Sequence, residues 1–156
     1  MQDEKKDLIL LLLITAGISV CGFFLFSLAQ SIFVPDLTID SYEASFSWNG
    51  SLQESYTYHV HTSYQFRSLN RKFDAPVYRT EQSGSYIRFL SIRTPPDTIG
   101  YLKEADETVT LTRDDPTIRS VITSRAGRNE AGAFQPWYYQ PGTYEVSYVW
   151  DITPPV

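Results

Sequence analysis

Hydrophobic positions follow two patterns along the chain: one continuous run near the start, and an alternation with polar residues over most of the rest. Residues 8–29 form an unbroken run of 22 residues without a charged side chain. About 18 such residues are enough to cross a bilayer as one helix. The run therefore predicts an N-terminal transmembrane helix, and the alternation after it predicts a separate domain.

The alternation recurs in several short segments, in which aromatic and β-branched side chains are separated by single polar residues. These segments cover residues 42–48, 56–60, 108–112 and 143–152. A period of two with such residues is typical of half-buried strands, and no segment after residue 30 has a sustained helical period. The sequence predicts an all-β domain, an antiparallel β-sandwich that is immunoglobulin-like in broad architecture. The last strand, Thr143 to Ile152, is predicted to lie at a sheet edge.

The first hairpin can be placed in register by matching the faces of its two strands. A two-residue turn at Asn49-Gly50 would set the apolar row of one strand beside the polar row of the other. A three-residue loop, residues 48–50, instead pairs Phe46 with Leu52 and places Gly50 in the left-handed region. We therefore predict the three-residue loop.

The segment from Tyr86 to Arg93 breaks the alternation. Ile87 and Phe89 lie on one face of a regular strand, whereas Leu90 and Ile92 lie on the other. This slip in phase predicts either a β-bulge or a strand that is covered on both faces.

Positive charges orient the apolar run. Lys5 and Lys6 precede it, and no further Lys or Arg occurs until Arg67. Basic residues beside a transmembrane end stay cytoplasmic, and acidic residues contribute little to this rule. We therefore expect a cell-membrane protein, single-pass in this chain, with the N-terminus inside and the C-terminal domain outside.

This orientation divides the chain into four parts. We expect a cytoplasmic N-terminus at 1–7, a signal-anchor helix in contact with membrane lipid at 8–29, a linker at 30–36 and the extracytoplasmic β-sandwich at 37–156. The alternative is a cleaved signal peptide that ends at Ser27-Leu28-Ala29. Signal h-regions span only about 7–15 residues, so the length favours the anchor.

Composition excludes several functional classes. The only cysteine, Cys21, lies inside the apolar run, so the exterior domain is expected to have no disulfide. The net charge of −5 and the lack of a basic patch indicate no nucleic-acid partner. The sequence has no Gly-rich phosphate loop, no GxSxG motif and no HExxH motif. We therefore expect no cofactor, no catalytic residues and no enzymatic activity.

The pairs of titratable residues in the sequence do not indicate a metal or catalytic site. His59 and His61, the only histidines, share a face with polar residues, and a zinc site would need a third ligand. No metal site is predicted there. The acidic pairs Asp106-Glu107 and Asp114-Asp115 flank strand-like runs and are predicted to lie in turns.

A Pro-flanked aromatic cluster is the candidate interaction surface. Trp137, Tyr138 and Tyr139 would suit a protein partner or a sugar ring if exposed. The alternative is a loop that folds over one end of the sandwich. Asn49-Gly50-Ser51 is also an N-glycosylation sequon, which the predicted topology places on the glycan-accessible side.

Three short segments resemble one known family. They are Asp40 to Tyr58, with Asn49-Gly50-Ser51-Leu52 and Glu54, then Phe66 to Phe73, and Pro141 to Tyr148. They are similar to the domain-of-unknown-function 2207 family of predicted membrane proteins. The resemblance implies an exterior β-sandwich without an established activity, and it transfers no catalytic residue. Members usually continue into further transmembrane helices, so this chain is expected to be a fragment or a short relative.

These observations together predict a membrane-anchored extracytoplasmic module for protein interaction or structure, with a protein partner or oligomer. Two alternatives stay open. One is a carbohydrate- or cell-envelope-binding module that uses Trp137, Tyr138 and Tyr139. The other is a single-pass, stator-like subunit of a surface assembly.

Overall fold

A computed structural model describes residues 15–24 and 35–153, which belong to two compact units, Met1–Pro35 and Asp36–Val156. Residues 15–24 are helical. Within these described ranges, no helix combines the length and apolar character needed to cross a bilayer. The predicted segments 1–7, 8–29 and 30–36 lie wholly or partly outside the described residues.

The second unit consists mostly of β-strands in two sheets. Its strands are β1 (Leu37–Phe46), β2 (Ser51–Val60), β3 (Ser68–Lys72), β4 (Val77–Tyr78), β5 (Tyr86–Arg93), β6 (Ile99–Lys103), β7 (Val109–Leu111), β8 (Glu130–Phe134) and β9 (Gly142–Thr153). One sheet has the order β1-β2-β9-β5-β4 and the other β3-β8-β6-β7. Among the strand pairs within residues 35–153, only the short β4–β5 pair is parallel.

The main core lies between the two sheets. It contains Tyr58, Val146, Tyr148 and Trp150 from the first sheet, together with side chains from the second: Leu69, Leu102, Ala131 and Ala133. The predicted inward rows of β2 and β9 are therefore correct. Two packed sheets around one core agree with the predicted all-β sandwich.

The predicted position of the last strand is wrong. β9 pairs with β2 on one side and with β5 on the other, so it lies at the centre of its sheet. The long edge strand is β1, which pairs with β2 alone. The alternation of apolar and polar residues indicates which side of a strand is buried, but it does not indicate which strands lie beside it.

The predicted register of the first hairpin is confirmed. Phe46 lies opposite Leu52 and Tyr42 opposite Tyr56. Gly50 has φ +90°, as a three-residue loop requires. The amide of Gly50 donates to Ser47 O at 3.0 Å and closes the turn.

The break in phase within β5 is a bulge. The pairing with β9 shifts register between Phe89 and Ser91, so that Leu90 is the extra residue. Ile92 thereby returns to the inner side and packs against the core, while Leu90 stays exposed. The structure thus selects the bulge over a strand that is covered on both faces.

A helix at Pro116–Arg125 contradicts the prediction that no helix follows residue 30. Asp115 is its N-cap, since one carboxylate oxygen accepts a hydrogen bond from Ile118 N at 3.0 Å. Pro116 begins the helix, where its missing N–H costs nothing. Only Ile118 and Ile122 are buried on this helix, against the outer side of the four-stranded sheet. Two apolar positions give too weak a period to detect.

Candidate functional site

Strand β1 exposes the side of the sheet that the other strands bury. Its register with β2 places Ile39, Tyr42, Ala44 and Phe46 on the inner side. Phe46 is nevertheless 64% exposed, and Tyr42 and Ile39 are also exposed. Of this strand only Leu37 packs against the core, because the second sheet does not extend over β1. The prediction that this row is half-buried is therefore wrong.

The exposed row continues into the turn. Trp48, which the alternation also placed on the inner row, is 99% exposed. Ile39, Tyr42, Phe46 and Trp48 together form a surface that we call the β1 surface. Large apolar side chains that stay exposed along one strand and its turn mark a candidate binding surface.

A buried carboxylate lies beside this surface. Glu54 is only 2% exposed, although it lies in β2 directly opposite Ala44. One of its oxygens accepts hydrogen bonds from Tyr42 Oη at 2.8 Å and Tyr56 Oη at 3.1 Å. The other accepts from Trp150 Nε1 at 2.9 Å.

Arg71 supplies the positive charge for this cluster. Its Nε lies 3.5 Å from Glu54 Oε1, and its guanidinium lies 4.1 Å from the ring centre of Phe73. A buried carboxylate is tolerated when it is both paired and hydrogen-bonded. The four groups around Glu54 satisfy both conditions, so the carboxylate joins β1, β2, β3 and β9.

The carboxylate also changes the acidity of its neighbours. Its hydrogen bond with Tyr42, together with burial, raises the pKa of Tyr42. Burial, followed by the charge of Glu54, raises the pKa of Tyr56 well above its usual range. Both hydroxyls therefore stay protonated at neutral pH and remain donors to Glu54.

Charge on the three adjacent strands has one sign. β1, β2 and β9 contain no Lys or Arg. On the outer side, Glu43 and Glu145 lie near hydroxyl side chains, and Ser55 Oγ donates to Glu145 Oε1 at 3.2 Å. This side of the sheet can therefore attract basic groups.

Residues 38–156 match the family model described as "Predicted membrane protein (DUF2207) N-terminal domain". The chain belongs to the DUF2207 family. The resemblance found in the sequence is thereby confirmed, and the family description makes this a predicted membrane protein of unknown function. No curated protein and no solved structure matches the chain.

In the DUF2207 domain, His59 lies on the outer side of β2 and His61 directly follows the end of that strand. The His59 and His61 rings are stacked with centroids 4.3 Å apart. His59 Nδ1 is 3.3 Å from Asp40 Oδ2, and His61 Nε2 is 3.3 Å from Thr38 Oγ1. Across residues 15–24 and 35–153, no group of three or more acidic, histidine or cysteine side chains is arranged to hold a metal ion.

The three aromatic residues at 137–139 lie in three different environments of the DUF2207 domain. Trp137 is 83% exposed. Tyr138 is half-buried, with its ring centre 5.0 Å from the Arg67 guanidinium. Tyr139 is 1% exposed and donates to Ala133 O at 3.0 Å within the core. The three side chains therefore do not form one continuous exposed patch.

The predicted glycosylation site and the two acidic pairs lie in different parts of the fold. Asn49 is exposed in the first turn, where its side-chain oxygen accepts from Ser51 N at 3.3 Å. Glycosylation of Asn49 stays a prediction. Asp106-Glu107 lies in a turn as predicted, whereas Asp115 caps the helix rather than forming part of a turn.

Sequence reasoning missed the Glu54 cluster. A signal was present, because Glu54 interrupts the inward row between Leu52 and Tyr56. A charged residue at such a position is rare unless it has a partner. Its partners Arg71 and Trp150 are distant in sequence, so only the fold identifies them.

Proposed function

We propose that the chain is a membrane-anchored extracytoplasmic interaction module, immunoglobulin-like in the broad sense of two packed, mainly antiparallel sheets. In this proposal, β1 binds an extended segment of a partner protein. Membrane anchoring is supported by the family description and by the uncharged run at 8–29 behind Lys5 and Lys6. The interaction role is supported by the exposure of β1.

One observation carries the interaction proposal: β1 is a ten-residue edge strand whose inner row is exposed. Natural sheets usually protect long edges by keeping the strand short or by placing lysines, proline or a β-bulge there. β1 has ten residues without Lys or Pro, and its one register shift, between Ile39 and Ser41, leaves residues 41–46 regularly paired. A strand that adds to such an edge gains backbone hydrogen bonds, and its alternate side chains supply specificity. The row from Ile39 to Phe46 would pack against the inner row of that strand.

The Glu54 cluster holds this edge in place. Tyr42 is exposed on its ring but fixed at its hydroxyl by Glu54, which Trp150 and Arg71 hold from the core side. A surface that is already ordered loses less conformational entropy when it binds. The cluster therefore favours binding without direct contact between Glu54 and the partner.

Charge indicates the chemistry of the partner. The outer row of β1 carries Asp40 and Glu43, and the next two strands of the sheet, β2 and β9, contain no Lys or Arg. A second copy of β1 would place its own acidic row on the same outer side, which is unfavourable. An extended segment that alternates apolar with Lys or Arg residues complements both rows.

Peptide binding to the purified full chain in mild detergent tests this proposal. The probe is a ten-residue peptide of alternating Val and Lys, matched to β1, and the control peptide alternates Val and Glu. We expect the lysine peptide to bind at least about tenfold more tightly. Hydrogen exchange should show new protection of backbone amides within residues 37–46.

Matched variants distinguish peptide binding at β1 from binding elsewhere on the surface of the domain. Phe46→Ser and Glu43→Lys should each weaken binding of the lysine peptide, because they remove the apolar contact and the complementary charge. Leu90→Ser and Asp74→Lys change an exposed apolar and an exposed acidic residue elsewhere. Equal binding of both peptides, or unchanged affinity in Phe46→Ser, would show that β1 is not the docking site.

A further inference from the structure

A cavity lies on the outer side of the four-stranded sheet, the side that faces away from the core between the two sheets. The volume is about 440 Å³, which is within the usual range for small-molecule sites. The floor includes Ser68 and Asn70 of β3 and Glu130 of β8. One wall is the last turn of the helix Pro116–Arg125. We call this space the helix cavity.

The floor of the helix cavity is fixed by hydrogen bonds. Glu130 Oε1 accepts from Tyr101 Oη at 2.6 Å and from Asn70 Nδ2 at 3.0 Å, while Oε2 accepts from Gly127 N at 3.0 Å. Burial, followed by the charge of Glu130, raises the pKa of Tyr101 far above its usual range, so this hydroxyl remains a donor. A carboxylate has about four acceptor positions, so Glu130 retains one for a ligand hydroxyl.

The helical wall is also held in place. Lys103 is buried, and its Nζ donates to Thr123 O and Ala126 O, each at 2.9 Å. These carbonyls belong to the end of the helix, where a cation is favourable. Arg125, exposed in that last turn, therefore borders the cavity from a fixed backbone.

The lining of the helix cavity includes a second guanidinium, that of Arg67. Arg67 has its guanidinium 5.0 Å from the ring centres of both Phe134 and Tyr138, and one Nη donates to Pro136 O at 2.6 Å. Within residues 35–153, its buried Nε has no hydrogen-bond partner. Because this Nε is buried, Arg67 can reach a ligand carboxylate only through its Nη atoms, one of which also donates to Pro136 O.

Two strained tyrosines form the rim. Tyr64 and Tyr138 have φ +62° and +71°, in the left-handed region that a bulky side chain rarely adopts. Their rings meet edge to face with centroids 6.3 Å apart. Such strain costs about 1–3 kcal/mol per residue and is concentrated at functional sites. Two strained residues of the same type at one cavity mouth indicate a binding role.

We propose that the helix cavity binds a carboxylate-bearing sugar residue. Arg67 and Arg125 would hold the carboxylate, and the amide, hydroxyl and carboxylate groups of Asn70, Ser68 and Glu130 would bind sugar hydroxyls. The tyrosine rings at the rim would pack against the face of the sugar ring. This site is independent of the β1 surface, because it lies on the other sheet and involves other residues.

The test titrates the purified full chain in mild detergent with glucuronate and follows binding by saturation-transfer NMR. Glucose and acetate are comparison ligands observed in the same way, and inorganic phosphate, which has no carbon-bound protons, is compared through its displacement of glucuronate. Glucuronate should bind at least about tenfold more tightly than each of them, because only it combines the ring with the carboxylate. Equal binding of glucose would refute the role of the guanidiniums, and equal binding of phosphate or acetate would reduce the site to a simple anion site.

Two variants test the assigned residues. Arg125→Gln should weaken glucuronate binding about tenfold, whereas Arg93→Gln, an exposed arginine outside the cavity, should leave it unchanged. Tyr64→Gly should weaken binding while leaving the melting temperature equal or higher, since it removes strain and an exposed ring. Absence of saturable glucuronate binding, or unchanged affinity in both Arg125→Gln and Tyr64→Gly, would overturn the proposal.

Discussion

Replacement of Glu54 by alanine should remove a large part of the stability of the domain. The carboxylate is 2% exposed and accepts from Tyr42, Tyr56 and Trp150, with Arg71 as its ionic partner. A hydrogen bond to a charged group contributes about 1.5–3 kcal/mol. The variant therefore loses several such interactions together.

The size of this loss in stability depends on which former partners of Glu54 can form another hydrogen bond. Trp150 is fully buried, and its Nε1 would be left without an acceptor, which costs about 1–3 kcal/mol. Tyr42 is exposed and can bind water instead, and Arg71 is about one-third exposed, so their contributions are discounted. Breaking a buried pair typically costs about 3–5 kcal/mol. We expect the free energy of unfolding of Glu54→Ala to fall by that amount.

Glu54→Gln should cost less, about 1–2 kcal/mol. The amide oxygen can accept from Trp150, which is only a donor, while the amide nitrogen donates to a tyrosine hydroxyl, which can also accept. The ion pair with Arg71 is lost in both variants. The difference between Gln and Ala therefore measures the hydrogen bonds together with the packing of the buried side chain that Ala removes.

Urea denaturation of the full chain in mild detergent, followed by tryptophan fluorescence, measures these changes. Glu145→Ala is the control, because Glu145 is an exposed carboxylate on β9, and we expect a change within about 0.5 kcal/mol. If Glu54→Ala costs less than about 1 kcal/mol, or if Gln and Ala are equally destabilising, the cluster does not stabilise the fold as argued.

Three further predictions concern turn geometry, topology and pH. Gly50→Val should lower the free energy of unfolding by about 1 kcal/mol or more, measured by the same denaturation, because Gly50 has φ +90° and an added Cβ would lie 3.0 Å from Ile152 O; unchanged stability would contradict the turn. A cysteine in place of the exposed Gln53, in a Cys21→Ser background, should react with an impermeant thiol reagent on intact cells, and reaction only after lysis would reverse the topology. Burial raises the pKa of Tyr58 from 10.0 to about 12. The contribution of the protonated Tyr58 hydroxyl to stability is therefore full below pH 10 and is lost as the pH rises towards 12. Tyr58→Phe should reduce this loss of stability at alkaline pH in denaturation experiments, and a pH profile identical to that of the unmodified chain would refute the role given to Tyr58.

The sequence alone predicted part of the local β-structure, namely β1, β2, β5, β7 and β9, but not β3, β4, β6 or β8. The rows of β2 and β9 alternate with a period of two, and only one register of the first hairpin matches its apolar faces. The slip in phase within residues 86–93 was also present in the sequence, but the structure was needed to select a bulge at Leu90 over a strand that is covered on both faces. The start of the helix was also encoded, in Asp115-Pro116, but its two buried isoleucines gave no clear period.

The tertiary structure alone decided the order of the strands and the exposure of their faces. β9 is central because both β2 and β5 pair with it, and β1 is exposed because the second sheet ends before reaching it. Glu54, Arg71 and Trp150 meet only when three strands assemble, and the helix cavity forms only when the helix packs against the four-stranded sheet. Alternation is a property of neighbouring residues, whereas these sites depend on contacts between residues that are distant in sequence, which pairing and packing of whole elements establish.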